Sequence, residues 1–301
     1  MRRNTGPEIG NPGGGSPRGD RLRHRRPAEE GRPADHPEGP PGASAPELGP
    51  DLALYFGLSV RLLPYLDELL VDFDELGSDA GLVADWLGRH GIGAGARVLD
   101  LGCGKGAVAV VLARALGCSV TGIDAFVPFV DEGRRRAETG GVAGLCEFRA
   151  GDIRSEAAKE TGYDAALFLA VGPVYGGPGE TVGVLRRCVR PGGLMVVDDA
   201  YLLDRAVDFP GYEVLLDGVR TRAQLASHGD EILAEKLFTR AEAEAQNRRY
   251  QARIEERGRR LAARRPGLAS DIAAYIEKER RECEIIERDI QNAVWLLRRI
   301  G

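Results

Sequence analysis

The chain has 301 residues, 43% of them hydrophobic, a length that suits one large α/β domain with additions or two small domains. Its formal net charge of -5 argues against a dedicated nucleic-acid-binding protein, although it leaves room for a local basic face. Five cysteines are scattered without any C-x-x-C pair, which predicts reduced thiols and argues against a disulfide framework or a metal site.

Residues 1–50 are predicted to be a disordered tail. Ten of the 17 prolines and ten of the 41 glycines fall in them, and charges alternate there without apolar periodicity. Such a segment cannot bury enough apolar surface to offset the entropy of ordering it. Residues 1–26 lack the apolar core of a signal peptide, and no apolar run reaches membrane-spanning length, so we expect a cytoplasmic protein without a membrane partner.

Residues 51–96 are predicted to form N-terminal helices. Apolar residues recur at helical spacing from Asp51 and are interrupted near Pro64. Another helix follows, with Ser78 as its predicted N-cap and an end at His90.

The run Arg97–Gly106, RVLDLGCGKG, combines a short apolar strand with three glycines and leads into an apolar helix, Ala107–Leu116. A turn of this kind lets a ligand approach bare backbone at the positive N-terminal end of a helix. Asp100, just before the turn, would repel a pyrophosphate and attract an ammonium group. The run therefore predicts a nucleotide-type cofactor site. S-adenosylmethionine (SAM), which carries an ammonium and a sulfonium and no phosphate, has charges that suit such a site.

Other acids follow predicted strands. Asp124 ends the second strand, about twenty residues beyond the glycine turn, where α/β nucleotide folds place a carboxylate on ribose hydroxyls. The alternative role for Asp124 is to cap the next helix. Asp198 and Asp199 are predicted at the C-terminal end of the fifth strand, as a general base or as a carboxylate that pairs with a cationic substrate. Here too, capping of the next segment is the alternative.

From Arg97 to Leu203 these motifs, in this order, resemble those of the class I SAM-dependent methyltransferases. The resemblance implies a doubly wound α/β fold with a mostly parallel seven-stranded sheet, order 3-2-1-4-5-7-6, and a SAM-binding core over residues 97–238. It places the substrate beside the loop 172–175, which makes Tyr175 a candidate catalytic residue with Asp198 and Asp199. The implied cofactor-binding residues are Asp100, Gly102, Cys103, Gly104, Gly106, Asp124, Ala125, Asp152, Ile153 and Ala170.

The last third departs from the core pattern. Residues 231–238 are predicted to be strand six and residues 291–301 a closing strand. Between them, residues 239–290 read as two charged helices broken at Pro266-Gly267. Because strand six ends at the cofactor edge, we expect this insertion to form a helical cap over the substrate site. A solvated hairpin used for dimerisation is the alternative.

Three functions fit these motifs. The first is methyl transfer from SAM to a small molecule, favoured by the acidic balance and by the absence of the Asn/Asp-Pro-Pro-aromatic and Pro-Cys motifs of nucleobase methyltransferases. The second is methyl transfer to RNA or protein, for which the segment 239–265, with nine arginines and four glutamates, is the candidate surface. The third is a non-catalytic SAM-binding module, which the intact motif disfavours. The oligomeric state is left open.

Overall fold

The computed structural model describes residues 49–73 and 79–301. The predicted tail lies outside these residues except for Gly49 and Pro50, which begin the first helix. Ser78 also lies outside them, and the N-cap of the next helix is Asp79, whose carboxylate accepts a hydrogen bond from the N–H of Leu82 at 3.0 Å. The prediction of the cap was therefore wrong by one residue.

The helices and strands follow one another in the order expected of the core. They are α1 (Gly49–Tyr55), α2 (Leu66–Leu69), α3 (Ala80–Arg89), β1 (Arg97–Leu101), α4 (Ala107–Leu116), β2 (Ser119–Asp124), α5 (Val127–Thr139), β3 (Cys146–Ala150), α6 (Ile153–Glu156), β4 (Tyr163–Leu169), α7 (Pro178–Cys188), β5 (Val189–Leu202), α8 (Gly218–Leu225), β6 (Glu231–Leu237), α9 (Arg240–Arg264), α10 (Ala269–Arg288) and β7 (Ile290–Arg298).

The seven strands form one sheet in the order β3-β2-β1-β4-β5-β7-β6, which confirms the predicted fold class. Strands β1 to β5 pair in parallel, and β7 pairs antiparallel with both β5 and β6. The carboxyl ends of β1 to β6 therefore meet at one edge of the sheet. Open α/β sheets bind their ligands at this edge.

Side-chain alternation along the central strands produces two apolar layers. Val98 of β1 lies in the layer that contains α3 and α4, whereas its neighbour Leu99 lies in the layer with α7. Both residues are fully buried, as expected for a strand covered on both faces. The two layers hold the carboxyl edge of the sheet in place for the site described below.

Strand β5 is longer than predicted. Its last pair with β4 is Asp198 with Leu169, but it continues to Leu202 because β7 pairs with it up to Ile290. Asp198 and Asp199 therefore do not end the strand. They lie where β4 stops and β5 continues beside β7.

Helices α9 and α10 form an antiparallel hairpin. They approach closely at Gly258, where a Cβ atom would lie 2.7 Å from Ile276 Cδ1 and 2.9 Å from Ile272 Cγ2. The hairpin contributes to an apolar cluster, here called the cap cluster, that unites three segments of the chain. Its buried members are Leu52, Ala53, Leu58, Leu62, Leu63, Leu66, Leu69, Leu70, Phe73, Phe126, Phe129, Ile254, Leu261, Leu268, Ile272 and Tyr275. Since Phe126 and Phe129 follow the end of β2 directly, the cap cluster reaches the carboxyl edge of the sheet. None of the helices in the described ranges has the length and hydropathy needed to cross a bilayer.

Candidate functional site

The turn between β1 and α4 is built from left-handed glycines. Gly102, Gly104 and Gly106 have φ values of +77°, +51° and +70°, a region that costs glycine little and other residues much more. A Cβ atom on Gly102 would also lie 2.5 Å from Val171, and one on Gly106 would lie 2.5 Å from Phe148. The turn can therefore take this path only with glycine at positions 102 and 106.

Asp124 fixes the far side of this turn. Its two carboxylate oxygens accept hydrogen bonds from the N–H of Gly104 at 2.8 Å and from the N–H of Phe126 at 2.9 Å. Burial raises the pKa of Asp124, and these two hydrogen bonds act in the opposite direction. Each oxygen keeps a lone pair for a further donor, such as a ligand hydroxyl.

Asp100 lies behind the turn with a relative exposure of 2%. Burial and the nearby charge of Asp124 raise its pKa to about 7. In residues 49–73 and 79–301, no Lys, Arg or His forms an ion pair with Asp100 or Asp124. A buried and a half-buried carboxylate without a cation suit a ligand that brings an ammonium group and hydroxyls, and they would disfavour a phosphate. The predicted cofactor therefore fits the residues that are present.

Cys103, inside the turn, is buried, and this burial raises the pKa of its thiol well above the usual value. A protonated buried thiol is a poor nucleophile, which favours a packing role for Cys103. Ala125 packs against the cap cluster, and Ile153 is buried in the layer that contains α7. Both follow the carboxyl ends of β2 and β3 and so lie at the same edge as the turn.

Asp152 caps the short helix α6. It accepts hydrogen bonds from the backbone N–H of Arg154 at 2.9 Å and from the guanidinium of the same residue. Burial raises the pKa of Asp152, but the hydrogen bonds from Arg154 outweigh this effect and the pKa is lowered. Asp152 is thus ionised and held at the end of β3.

The end of β4 carries backbone strain. Ala170 has a φ of +54° and is the sole non-glycine with a positive φ among the described residues. Its N–H donates to the carbonyl of Asp198 at 3.0 Å, which fixes the bend against β5. The loop that begins here reaches Tyr175, whose hydroxyl donates to the carbonyl of Ile153 at 2.9 Å. Tyr175 therefore lies beside α6.

Asp199 is the third carboxylate of this edge with a raised pKa, after Asp100 and Asp124. Burial raises it to about 6, and the N–H of Ala200 donates to the carboxylate at 2.8 Å. A carboxylate with a pKa near 6 can accept a proton at neutral pH and release it again. The structure thus brings Asp100, Asp124 and the glycine turn together and places Asp199 farther along the same edge.

Comparisons with known proteins agree with this geometry. The model of a methyltransferase domain family matches residues 98–193. This segment contains the glycine turn and the neighbouring strands β1 and β4, except for the first residue of β1. Residues 98–193 therefore match a methyltransferase domain.

The methyltransferase domain has structural and sequence relatives. A SAM-dependent methyltransferase from Thiobacillus denitrificans, crystallised with S-adenosyl-L-homocysteine, superposes with a TM-score of 0.65 over 77% of this chain and 96% of that chain, at 24% identity. The chain is 32% identical over 152 residues to an uncharacterised 37.1 kDa protein of transposon TN4556 from Streptomyces fradiae, which is 50% of this chain and 42% of that protein. It is 38% identical over 104 residues to the ubiquinone biosynthesis O-methyltransferase of Methylocella silvestris, 34% of this chain and 38% of that protein. The matched segment thus spans less than half of either curated relative.

Lys105 is a residue of the methyltransferase domain whose role the sequence did not reveal. It lies inside the glycine turn and is 5% exposed. Its ammonium donates to the carbonyl of Leu70 and, at 3.2 Å, to the carbonyl of Phe73, and it lies 5.5 Å from the centroid of the Phe129 ring. Lys105 therefore ties the glycine turn to the N-terminal segment of the cap cluster.

Replacing Lys105 with methionine should weaken both the fold and the cofactor site. Hydrogen bonds to a charged group contribute about 1.5–3 kcal/mol, so we expect the melting temperature of Lys105→Met to fall by several degrees. We also expect SAM affinity to fall several-fold, because the turn loses an anchor. Differential scanning fluorimetry and calorimetry would measure both effects. The matched control is Lys159→Met, since Lys159 is 64% exposed and pairs with Glu156 on the surface. If the two variants behaved alike, the anchor would be unimportant.

Tyr55 of α1 is a second residue without a sequence signal, because it lies in the apolar run LALYFGL. Its hydroxyl donates to the carbonyl of Val171, next to the strained Ala170. At the other end of α1, Asp51 pairs with Arg154 at 3.1 Å, and Arg154 also pairs with Asp152. Helix α1 thus contacts the ends of both β3 and β4.

Proposed function

We propose that this chain is an enzyme that binds SAM and transfers its methyl group to a small-molecule acceptor. The observation that carries the proposal is the pair Asp100 and Asp124, two carboxylates at a left-handed glycine turn that have no ion-pair partner among the described residues. The relatives named as methyltransferases support the same activity.

The cofactor would be held by the chain's own edge residues. The Asp124 carboxylate would accept hydrogen bonds from the ribose hydroxyls. The charge of Asp100, behind the glycine turn, would attract the ammonium group, and Asp152 would bind the adenine amino group. Gly102, Gly104 and Gly106 would allow close approach, and the backbones of Cys103, Ala125, Ile153 and Ala170 would line the site. When bound, SAM supplies a methyl group to the acceptor's lone pair, and the electron pair of the broken carbon–sulfur bond stays on sulfur.

Asp199 would act on the acceptor. Its carboxylate, with a pKa of about 6, would take the proton that the acceptor atom loses on methylation. Asp198, whose carbonyl fixes Ala170, would position the end of β4, and Tyr175 would hold the loop beside α6. Asp198 and Tyr175 would thereby contribute to positioning, which supplies a large part of the rate in reactions between two bound partners.

The α9–α10 hairpin would cover the acceptor together with the N-terminal segment. The cap cluster joins both to Phe126 and Phe129 at the end of β2, and α1 contacts the ends of β3 and β4. A covered edge excludes water and leaves room for a small acceptor more readily than for a folded RNA. The name of one relative, a ubiquinone biosynthesis O-methyltransferase, also points to a small acceptor.

The arginines of α9 supply a second candidate surface, for RNA or protein. Several of them pair within the chain: Arg240 with Glu244, Arg257 with Asp72, Arg260 with Glu256 and Arg264 with Glu68. Two of these partners, Asp72 and Glu68, belong to the N-terminal segment. The pairing supports a role for the arginines in holding the cap, which favours the small-molecule acceptor.

The proposal is tested by the destination of the methyl group. The purified chain would be incubated with methyl-labelled SAM and, separately, with the small-molecule, RNA and protein fractions of an extract of the organism that encodes it. We expect label in the small-molecule fraction with the wild type and none with Asp124→Ala. Label in RNA or protein would favour the α9 surface. SAM binding without transfer to any fraction would favour a non-catalytic module.

A further inference from the structure

Helix α1 is attached at two separate places on the carboxyl edge of the sheet. Near its start, Asp51 pairs at 3.1 Å with Arg154, which follows the end of β3. At its end, the Tyr55 hydroxyl donates to the carbonyl of Val171, which follows the end of β4. The Tyr55 ring also lies against Gly172, where a Cβ atom would be 3.8 Å from Tyr55 Cε2. Helix α1 therefore joins the segments that follow β3 and β4.

The strand order determines what lies between these two contacts. In the sheet, β2 and β1 separate β3 from β4. Three strand spacings amount to about 14 Å. A helix rises about 6 Å from residue 51 to residue 55, and the side chains of Arg154 and Tyr55 extend to the two contacts. Helix α1 therefore crosses the carboxyl ends of β2 and β1, which carry Asp124 and lead into the glycine turn.

Contacts with the segments after β2 and β1 agree with this path. The ring of Phe56, directly after α1, lies edge-on to the ring of Phe129 in α5, with 6.3 Å between the centroids. The Val171 side chain, whose carbonyl Tyr55 holds, lies so close to Gly102 that a Cβ atom there would be 2.5 Å from Val171 Cγ2. The C-terminal end of α1 thus contacts α5 directly and the glycine turn through Val171.

The attachment of α1 is weaker than that of the segment that follows it. Its buried side chains are Leu52 and Ala53, and the ion pair of Asp51 with Arg154 joins side chains that are 61% and 50% exposed. Exposed ion pairs contribute little to stability. The ordered state of α1 therefore depends largely on two apolar side chains and on the hydrogen bond of Tyr55.

By contrast, α2 and the turn after it are held by several strong contacts. The ammonium of Lys105 donates to the carbonyls of Leu70 and Phe73, and the guanidinium of Arg257 donates two hydrogen bonds to the carboxylate of Asp72. Segments with few buried contacts open locally while the rest of the fold stays in place. We therefore expect α1 to detach more readily than α2.

A glycine lies between the weakly and the strongly attached parts. Gly57 has a φ of +62°, a conformation that glycine adopts at little cost. Hinges are formed by a few residues of this kind, which absorb the change in backbone dihedrals.

We propose that α1 is a lid of the cofactor site, which opens about Gly57 to admit SAM and closes over it through the Tyr55 hydroxyl. The inference rests on the proposed binding of SAM and goes beyond it, because it assigns the route by which the cofactor enters and leaves. With α1 closed, the ligand is enclosed between this helix and the glycine turn. S-adenosyl-L-homocysteine (SAH), which SAM becomes when it has lost its methyl group, leaves after Tyr55 has released Val171.

The first test follows hydrogen exchange in the unaltered chain. The N–H groups of Phe56 and Leu58 donate to the carbonyls of Leu52 and Ala53, whereas that of Leu70 donates to the carbonyl of Leu66. A helix as short as α1 is unstable once it is detached. Without a ligand, we therefore expect the amides of Phe56 and Leu58 to exchange faster than that of Leu70.

Added SAH should slow this exchange, because it favours the closed state. At about 100 times its Kd, we expect the amides of Phe56 and Leu58 to exchange at least about tenfold more slowly. Bound SAH with unchanged exchange at these amides would overturn the lid and leave the proposed function intact. A chain that does not bind SAH in calorimetry would overturn both.

The second test is the rate at which SAH dissociates from Tyr55→Phe, measured by surface plasmon resonance. The variant keeps the ring and loses one neutral hydrogen bond, so we expect dissociation to be about fivefold faster than from the wild type. The matched control is Tyr65→Phe, which removes a hydroxyl just before α2 and should dissociate like the wild type. A purely structural role of Tyr55 would lower the melting temperature and leave the dissociation rate unchanged, and this result would overturn the lid.

Discussion

Replacing Asp124 with alanine should lower the affinity for SAM by about 100-fold or more. The substitution removes the carboxylate expected to bind the ribose, where each hydrogen bond to a charged acceptor is worth about 1.5–3 kcal/mol. It also releases the N–H groups of Gly104 and Phe126, which Asp124 holds at 2.8 and 2.9 Å. The glycine turn then loses the contact that fixes its shape. Calorimetric titration with SAM would measure the loss.

Two further variants separate charge from position. Asp124→Asn keeps the shape but has a single acceptor oxygen, so one of the two backbone N–H groups is left without its bond. We expect an intermediate loss of affinity. Asp131→Asn changes a carboxylate in the following helix that is 60% exposed and pairs with Arg134, and it should bind SAM like the wild type. If Asp124→Ala bound SAM normally, the assigned cofactor site would be wrong.

Local patterns in the sequence were enough to predict the glycine turn and the acid at the end of the next strand. Three closely spaced glycines follow an apolar strand, and Asp124 comes at the end of the next strand. The turn is fixed by a hydrogen bond between Gly104 and Asp124, which are 20 residues apart, so the signal lies in one short stretch of sequence. The strand order followed from the resemblance and was confirmed. Ser78 and Asp79 are both good capping residues, so the pattern could not choose between them.

The residues that the sequence missed depend on distant contacts. Lys105 donates to backbone carbonyls 35 and 32 residues away, and carbonyls are present at every residue, so no pattern marks the partners. Tyr55 reaches the carbonyl of Val171, 116 residues along the chain.

Replacing Asp199 with asparagine should reduce turnover by about 100-fold to 10,000-fold, the usual contribution of a positioned general base. The affinity for SAM should stay near that of the wild type, because Asp199 lies on the acceptor side. In the wild type, kcat should rise with pH through about 6, where the Asp199 carboxylate loses its proton. The variant should lose this rise. A variant with wild-type turnover would show that Asp199 has no catalytic role.

The same substitution should make the protein more stable at neutral pH. The pKa of Asp199 is raised from 3.8 to about 6 in the fold, because burial disfavours the charged form. Between these values the unfolded chain ionises while the folded one stays protonated, so Asp199 costs stability as the pH rises from about 4 to 6. A shift of this size corresponds to at most about 3 kcal/mol above pH 6.

Asparagine cannot ionise, so Asp199→Asn should unfold at a higher temperature than the wild type at pH 7 and at a similar temperature near pH 3.5. Thermal unfolding at both pH values would measure the difference. Higher stability together with lower turnover would mark Asp199 as a group that the fold buries at a cost for the sake of the reaction. Lower stability at pH 7 would instead indicate that the carboxylate stabilises β5 through its hydrogen bond with the N–H of Ala200.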